Sequence, residues 1–293
     1  MKPYLILLLP PLFWAGNFIA GRAIADEVAP ISLSFWRWFL ALVIILPFVI
    51  KPLIQQRAII KKNLAMLALL ALLSVTAFNT LAYIGLQHTS ATNGTLLNSF
   101  IPIFILIISG LFFGEKITIR QMIGVFISLF GVLIILSKLD IHIIQQFDVN
   151  VGDLWILVAT LDWALYSIFL KRYRPTGLTA LGFLGSTMIL GVFILLPLFL
   201  LNPLNEAPLL LNKTTISTLL YIALFPSIFA YLAWNYGIEK VGASTGGQFI
   251  HLMPLFGALM AVVFLDEKIQ LYHLLGALAI ASGLWLSMQH NKD

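Results

Sequence analysis

The chain contains no cysteine, and only 10% of its 293 residues are charged. Without cysteine it forms neither a disulfide nor a thiolate metal site, which excludes thiol redox chemistry and zinc clusters. The charged fraction is far below the roughly 25% of an average soluble domain. No G-x-x-x-x-G-K-[ST] phosphate loop occurs, so nothing in the sequence indicates that ATP supplies energy. We expect no cofactor.

Apolar residues make up 60% of the chain, against roughly 45–50% in a soluble domain. A segment that crosses the hydrocarbon core of a bilayer needs about 20 residues. Ten segments satisfy this length: 4–21, 30–50, 64–86, 91–113, 118–137, 153–170, 178–200, 215–237, 242–265 and 270–288. All should be helices, because lipid offers no hydrogen-bond partner to an open sheet edge. The composition therefore predicts an all-α membrane protein.

The distribution of basic residues predicts how these segments are oriented. Lys and Arg occur singly or in small groups between apolar runs, so nucleic acid is not an expected partner despite the net charge of +5. With the N-terminus inside, most of them fall on the inner side, and Lys138, Lys213 and Lys268 are among the few outside. We predict that both termini are cytoplasmic.

The first segment also resembles a secretory signal, since Lys2 precedes an apolar run and "AIA" stands at residues 23–25. Three of its residues, Trp14, Asn17 and Arg22, have counterparts in the sixth segment. These counterparts favour a helix that remains part of the protein.

An internal repeat divides the chain into two halves. A shift of 152 residues aligns Gly85 with Gly237, Pro102 with Pro254 and Gly131 with Gly283 without a gap, and it also aligns Glu115-Lys116 with Glu267-Lys268. We predict a first five-helix repeat at 1–138, an external loop at 139–152 and a second repeat at 153–293. Because five helices is an odd number, the second repeat should be inverted in the membrane, an arrangement common among secondary transporters.

The stretch "YIGLQHTSATNGTLLNSFIPIFILIISGLFFGEKITIRQMIGVFISLFGVLII" and its echo "YGIEKVGASTGGQFIHLMPLFGALMAVVFLDEKIQLYHLLGALAIASGLWL" resemble the EamA-type family of the drug/metabolite transporter superfamily. The motifs "FWAGNFIAGR", "SFWRWFLAL" and "LDWALYSIFLKR" resemble the first, second and sixth helices of that family. The resemblance implies ten transmembrane helices around a central cavity. It also implies a carrier of the bacterial inner membrane that exports amino acids or other small metabolites.

Polar and aromatic residues within the apolar segments are the candidates for the solute site, because polar groups are costly at membrane depth. The 152-residue shift places Tyr231 and Asn235 where the first half has Asn79 and Tyr83, so each half presents one Asn and one Tyr. The predicted substrate-binding set is Trp14, Asn17, Asn79, Tyr83, Asn98, Trp163, Tyr166, Tyr231, Trp234, Asn235, Gln248 and His251. Such a pocket suits a small amphiphilic or zwitterionic solute.

Three intramembrane residues are candidates for coupling transport to an ion: Asp162, His251 and Arg37. Asp162 and His251 lie near the expected midplane and either form a proton-linked pair or are each bonded within the bundle. Arg37 either caps a neighbouring helix end or contacts the solute. Pro102 and Pro254 remove backbone hydrogen bonds to the carbonyls of Asn98 and Ile250 and predict helix kinks.

Small residues line one face of the fifth and tenth segments: Gly124, Ser128 and Gly131, and Gly276, Ala279 and Gly283. They allow close backbone packing, within one protomer or between two, so the protein is a monomer or a homodimer.

The predicted function is a secondary transporter that exports amino acids or related solutes. An importer of a metabolite such as a nucleotide-like compound is the alternative. A membrane enzyme is less favoured, because no cluster of His, Asp or Glu has metal-ligand spacing and no paired carboxylates occur. A channel would not need aromatic and polar residues at corresponding positions.

Overall fold

The computed structural model describes residues 2–140, 142–143, 150–201, 212–264 and 268–289, and all regular secondary structure in these ranges is helical. The helices are α1 (Lys2–Ala23), α2 (Pro30–Gln55), α3 (Leu64–His88), α4 (Ala91–Phe113), α5 (Ile119–Ser137), α6 (Val151–Tyr173), α7 (Ala180–Leu200), α8 (Lys213–Val241), α9 (243–264) and α10 (Leu271–Met288). A short helix, Arg57–Lys62, precedes α3.

Nine of these helices in the described ranges are long and apolar enough to cross a membrane. The exception is α9, which consists of Ala243–Gly247, a 3-10 turn at Gln248–His251, and Leu252–Phe264. The prediction of long apolar helices is therefore confirmed for nine segments. The count of ten spans, the inverted repeat and the cytoplasmic termini stay predictions, and Glu267 lies outside the described residues.

Local sequence signals determine where several helices begin and end. A capping box of Thr118 and Gln121 starts α5, and one of Asn150 and Asp153 starts α6. Gly114 ends α4 with a φ of 62°, a left-handed conformation that glycine adopts without steric cost. These signals place the short connections at the two ends of the bundle.

The two predicted kinks are confirmed as helix interruptions. In α4 the helix stops at Asn98 and resumes at Ile101, just before Pro102. In α9 the 3-10 turn immediately precedes Leu252 and Pro254. Because proline has no backbone N–H, the carbonyl four residues earlier loses its helical partner, which explains an interruption at each of these places.

Two π-helical segments, which the sequence analysis did not predict, widen α3 and α8. They span Leu72–Ala77 and Ala223–Phe229, which lie at corresponding places in the predicted repeat. Side chains support both: Ser74 Oγ donates to the Leu70 carbonyl at 2.6 Å, and Ser227 Oγ donates to the Ile222 carbonyl at 2.7 Å. Such segments are rare in proteins, and those that occur are often found at functional sites. Here they turn backbone carbonyls toward neighbouring helices.

The two halves of the chain interleave in the bundle. Helix α6 packs mainly against α3 and α4, whereas α1 packs mainly against α8 and α9. Helices α2 and α7 form a pair on one flank, and α5 and α10 form a pair on the other. The six remaining helices surround the centre of the molecule.

Glycine brings α5 and α10 together along the predicted small-residue faces. A Cβ atom added to Gly131 would lie 2.7 Å from the carbonyl oxygen of Gly276, and one added to Gly283 would lie 2.6 Å from the backbone nitrogen of Ser128. The packing role predicted for these residues is confirmed, within one protomer. We call this contact the α5–α10 seam.

Polar contacts tie helix ends together at both ends of the bundle. At one end Arg174 forms an ion pair with Glu239, and burial lowers the pKa of the Arg174 guanidinium. At the other end the exposed carboxylate of Glu27 accepts hydrogen bonds from Thr215 Oγ1 at 2.5 Å and Asn212 Nδ2 at 3.0 Å. These two bonds lower the pKa of Glu27.

Candidate functional site

A small enclosed cavity lies at the centre of the bundle, where α1, α3, α4, α6 and α9 meet. Five residues predicted from the sequence line it: Trp14, Asn17, Asn79, Asn98 and Trp163. Its volume is about 10 Å³, which is room for about one water molecule. The structure thus brings these five residues to one place, in a closed state. We call it the central cavity.

Five further residues line the central cavity and were missed by the sequence analysis: Phe18, Phe78, Ile101, Ile250 and Met253. A signal for two of them was present, since Phe18 follows Trp14 by four residues and Ile101 follows Asn98 by three. Residues at these spacings share one helix face.

Aromatic rings form part of the wall and the layer behind it: Trp14, Phe18, Phe78 and Trp163 line the cavity. The rings of Trp14 and Trp163 meet edge to face with centroids 5.0 Å apart. Tyr231 lies 5.3 Å from Trp163, and Trp234 lies 5.3 Å from Trp14. Edge-to-face geometry is favourable for aromatic pairs. Trp14 and Trp163 occupy corresponding positions of the predicted repeat, so the two halves meet at this contact.

The 152-residue shift relates Asn79 and Tyr83 to Tyr231 and Asn235, so Asn and Tyr are exchanged between the halves. Two of these four residues, Tyr83 and Asn235, make matching hydrogen bonds. Tyr83 OH donates to Asn17 Oδ1 at 2.9 Å, and Tyr166 OH donates to Asn235 Oδ1 at 2.6 Å. The first bond joins α3 to α1, and the second joins α8 to α6. Each half therefore contains one tyrosine–asparagine bond, with the residue types exchanged between the helices.

The other two of these four residues, Asn79 and Tyr231, bond to each other. Asn79 Nδ2 donates to Tyr231 OH at 3.1 Å, although the two residues are 152 positions apart in sequence. Both also donate to the Ser74 carbonyl in the π segment of α3, at 2.8 Å from Asn79 and 2.5 Å from Tyr231. The π segment thereby holds α3 and α8 together beside the central cavity.

Arg37 is buried behind the cavity wall, with 1% of its surface exposed. Its Nε donates to Ser227 Oγ at 2.6 Å, and its Nη1 donates to Asn17 Oδ1 at 3.2 Å and to Tyr83 OH at 2.9 Å. All three partners are neutral, and no acidic side chain pairs with it in the described part of the chain. Arg37 does not line the cavity, but it bonds to a residue that does.

Asp162 and His251 do not bond to each other. Oδ2 of the Asp162 carboxylate is buried without a protein partner among the described residues. The His251 ring bonds to the Ser99 carbonyl through Nε2 at 2.9 Å and to Ser128 Oγ through Nδ1 at 2.5 Å. Because a carbonyl only accepts, Nε2 carries a proton in this geometry. His251 thus joins α9 to α4 and α5.

Several polar atoms at the centre are buried without a protein partner. They include both amide atoms of Asn98 and the indole N–H of Trp163, which line the central cavity, and Gln248 Oε1, which does not. By contrast, the indole N–H of Trp14 donates to the Pro226 carbonyl at 3.1 Å. An unpaired buried polar group costs stability, so such groups in a native protein call for an explanation. Those of Asn98 and Trp163 face a space that other molecules could enter.

A larger space lies next to the central cavity, at the end of the bundle where α4 begins and α5 ends. It has a volume of about 210 Å³ and is lined by residues of α1, α4, α5, α9 and α10, including Thr95, Lys138 and Tyr272. Met253 lines both spaces. We call the larger space the vestibule. The described residues contain no group of three His, Asp or Glu side chains placed to hold a metal ion.

Comparisons with known proteins agree with this architecture. A solved crystal structure that shares 14% sequence identity superposes on 98% of this chain and 96% of its own with a TM-score of 0.74. An uncharacterized transporter of Archaeoglobus fulgidus is 30% identical, with 98% of this chain and 97% of that protein covered. The uncharacterized transporter YyaM of Bacillus subtilis is 26% identical, with 96% and 92% covered. The model of the EamA-like transporter family matches residues 1–137 and 150–289. The chain is thus a multi-pass membrane protein that belongs to the EamA-like transporter family.

Proposed function

We propose that this protein is a secondary transporter that exports amino acids or related amphiphilic or zwitterionic metabolites across the bacterial inner membrane. The observation that carries the proposal is the central cavity, where the Asn98 amide and the Trp163 indole N–H are buried without partners. A wall of aromatic rings with a few unpaired donors and acceptors is the usual composition of a site for a small organic solute.

Alternating access explains why the cavity is so small. A space that admits about one water molecule has no room for a metabolite, so the helices around it must separate to receive one. Two inverted five-helix halves would open the cavity first to one side and then to the other. The vestibule supports this mechanism, since it lies next to the cavity at one end of the bundle.

The inverted arrangement is tested by single-cysteine labelling, for which the natural absence of cysteine provides a clean background. A membrane-impermeant reagent applied to intact cells should label a cysteine at Lys268 but not one at Lys116. Labelling of both positions from outside would contradict the inversion.

Solute counterflow into reconstituted vesicles tests the transport function. A panel of amino acids, other small metabolites and nucleosides is screened with the wild type and with Asn98→Ala. The variant removes two unpartnered polar atoms from the cavity wall, and we expect counterflow to fall about tenfold or more while the protein still folds. Asn93→Ala removes the same group from the same helix outside the cavity and should exchange solute like the wild type.

The outcome against the proposal is clear in this assay. If Asn98→Ala and Asn93→Ala exchange solute equally well, the central cavity is not the binding site. If the wild type exchanges none of the panel, the proposed substrate class is wrong. In the same vesicles Asp162→Asn, which keeps the size of the side chain but cannot exchange a proton, should keep counterflow and lose accumulation driven by a pH gradient if Asp162 carries the coupling proton. Unchanged accumulation would remove Asp162 from that role.

A further inference from the structure

The central cavity has a fixed polarity. We propose that Asn17 presents its amide N–H group and Asn79 its amide oxygen to the solute, and that Arg37 is the positioning residue that orients Asn17. The site then selects a zwitterion, bound with its carboxylate at Asn17 and its ammonium at Asn79. This inference rests on the proposed function and specifies the solute for the same site.

The orientation of Asn17 follows from the chemistry of its partner. A guanidinium group only donates hydrogen bonds, so the Asn17 atom 3.2 Å from Arg37 Nη1 must be the amide oxygen. Tyr83 OH donates to the same oxygen at 2.9 Å. Within the described part of the chain, Nδ2 of Asn17 makes no hydrogen bond, and Asn17 lines the central cavity. Its two N–H donors are therefore available to a solute.

The opposite orientation holds for Asn79. Backbone carbonyls only accept hydrogen bonds, so the Asn79 atom 2.8 Å from the Ser74 carbonyl must be Nδ2. The hydroxyl of Tyr231 donates to that same carbonyl and is left to accept from Asn79. The amide oxygen of Asn79 has no partner among the described residues, and Asn79 also lines the cavity. It is available as an acceptor.

The two halves make different hydrogen bonds at corresponding positions, so the cavity does not present the same groups on its two sides. The Ser74 and Pro226 carbonyls occupy corresponding positions, as do Trp14 and Trp163. The Pro226 carbonyl accepts the Trp14 indole N–H, but the Ser74 carbonyl is already occupied by Asn79 and Tyr231, and the Trp163 N–H is left unpaired. A symmetric cavity would accept a dipolar solute in two equivalent orientations. This cavity presents different groups on its two sides and favours one.

The absence of charge in the wall restricts the net charge of the solute. None of the side chains that line the central cavity within the described ranges is charged. The Arg37 guanidinium lies behind the wall and is bonded to Asn17, Tyr83 and Ser227. A solute with net charge would therefore find no charged side chain in the wall to pair with, and burying an unpaired charge is costly. A zwitterion avoids this cost, because its two charges neutralise each other and bond to the amide donor and acceptor. An α-amino acid with an apolar side chain has this chemistry and also fills an aromatic wall.

The test replaces the amide nitrogen of Asn17, a hydrogen-bond donor, with an oxygen, which is an acceptor. Asn17→Asp keeps an oxygen for Arg37 and Tyr83 and replaces the N–H donor on the other side with a second oxygen. The probes for vesicle counterflow are L-leucine and L-phenylalanine, each compared with its carboxamide, which lacks the carboxylate, and its N-acetyl carboxamide, which has no charge. Asn93→Asp makes the same substitution in α4 outside the cavity and is the matched control.

We expect wild type and Asn93→Asp to exchange the zwitterions at least about tenfold faster than either analogue, the effect of losing one hydrogen bond to a charged group. In Asn17→Asp the zwitterion should lose about 10- to 100-fold and the cationic carboxamide should become the better solute. Arg37→Lys should reduce the preference of the folded protein for the zwitterion. Ser227→Ala removes the Nε partner of Arg37 and one hydrogen bond to the Ile222 carbonyl but leaves the bond from Arg37 to Asn17, so the folded variant should preserve the preference.

Four results would overturn the inference, the last of them together with the proposed function. Equal exchange of the zwitterion and the uncharged analogue by the wild type would show that the cavity does not recognise the charges. Wild-type selectivity in Asn17→Asp would show that Asn17 does not face the carboxylate. Exchange of other solutes in the broad panel, but of none of these probes, would show that the cavity does not select the proposed zwitterion. It would leave the proposed transporter function intact. If nothing in the panel is exchanged, the inference and the proposed function fail together.

Discussion

The α5–α10 seam and the central cavity are both buried, yet they are built from opposite residue types. In the seam, Gly131 and Gly276 let two backbones approach until no added atom fits. In the cavity, bulky groups such as Trp163 and Asn98 meet with polar atoms left unpaired. The seam has satisfied its packing within the chain, whereas the cavity retains unpaired polar atoms that, in the function we propose, bind the solute. Substitutions should therefore affect stability in one region and transport in the other.

The largest effect on stability is expected for Gly131→Ala. The new Cβ atom would lie 2.7 Å from the Gly276 carbonyl oxygen and 2.8 Å from the Ile280 nitrogen, both backbone atoms that move only if α5 and α10 separate. Overpacking of this kind costs typically about 1–3 kcal/mol. We expect a lower Tm in detergent and less folded protein in the membrane.

Gly257→Ala is the control for this experiment, because a Cβ atom added at Gly257 meets nothing within 4 Å. Its Tm should equal that of the wild type. Equal Tm values for the two variants would mean that the seam tolerates a wider separation than the structure has.

The two tryptophans of the cavity wall differ in the same way as the two regions. The indole N–H of Trp14 has a hydrogen-bond partner within the chain, and that of Trp163 has none. Trp14→Phe removes a donor and leaves the Pro226 carbonyl unpaired, which costs about 1–3 kcal/mol. Both variants lose buried ring volume, but Trp163→Phe removes an N–H that has no partner, so it should lower the unfolding temperature less than Trp14→Phe does. Counterflow should respond the other way, with the larger loss of transport per folded protein in Trp163→Phe.

Thermal unfolding and counterflow of the same two preparations check this prediction. Equal loss of stability in both variants would contradict the assignment of Trp163 to the solute. A Trp14→Phe protein as stable as the wild type would show that the bond to Pro226 contributes little.

The smallest effect is expected at the exposed end of the bundle, where Glu27 bonds to Thr215 and Asn212. These bonds lower the pKa of Glu27 from its ordinary value of 4.5. A group whose pKa is lower in the folded state contributes stability that is present above its unfolded pKa and lost as the pH falls through the folded pKa. The contribution should be complete above about pH 4.5 and decline below it.

Thr215→Val removes one of the two donors to Glu27 with little change of shape. We expect its Tm to lie slightly below that of the wild type at neutral pH and to converge with it in acid. A constant difference across the whole pH range would show that the carboxylate of Glu27 is not the cause.

Particular residues show how far the sequence could be read. The swapped Asn79–Tyr83 and Tyr231–Asn235 pairs were visible as a pattern, but their bonding partners were not, because those partners come from other helices. The π segments were missed, since an i to i+5 backbone bond leaves no periodic signature in an apolar run. Arg37 was recognised as buried, but its link to Ser227 depends on the π segment of α8.

The sequence by itself determined the long apolar helices, their proline interruptions and the family, because hydrophobic length and backbone chemistry are local properties. The central cavity was decided by the tertiary structure. Its wall combines residues of α1, α3, α4, α6 and α9, and the orientation of the Asn17 amide depends on Arg37 and Tyr83, which lie on two other helices. Whether a buried polar atom is satisfied is a question of which groups meet in space, and only the packing of the interleaved helices answers it.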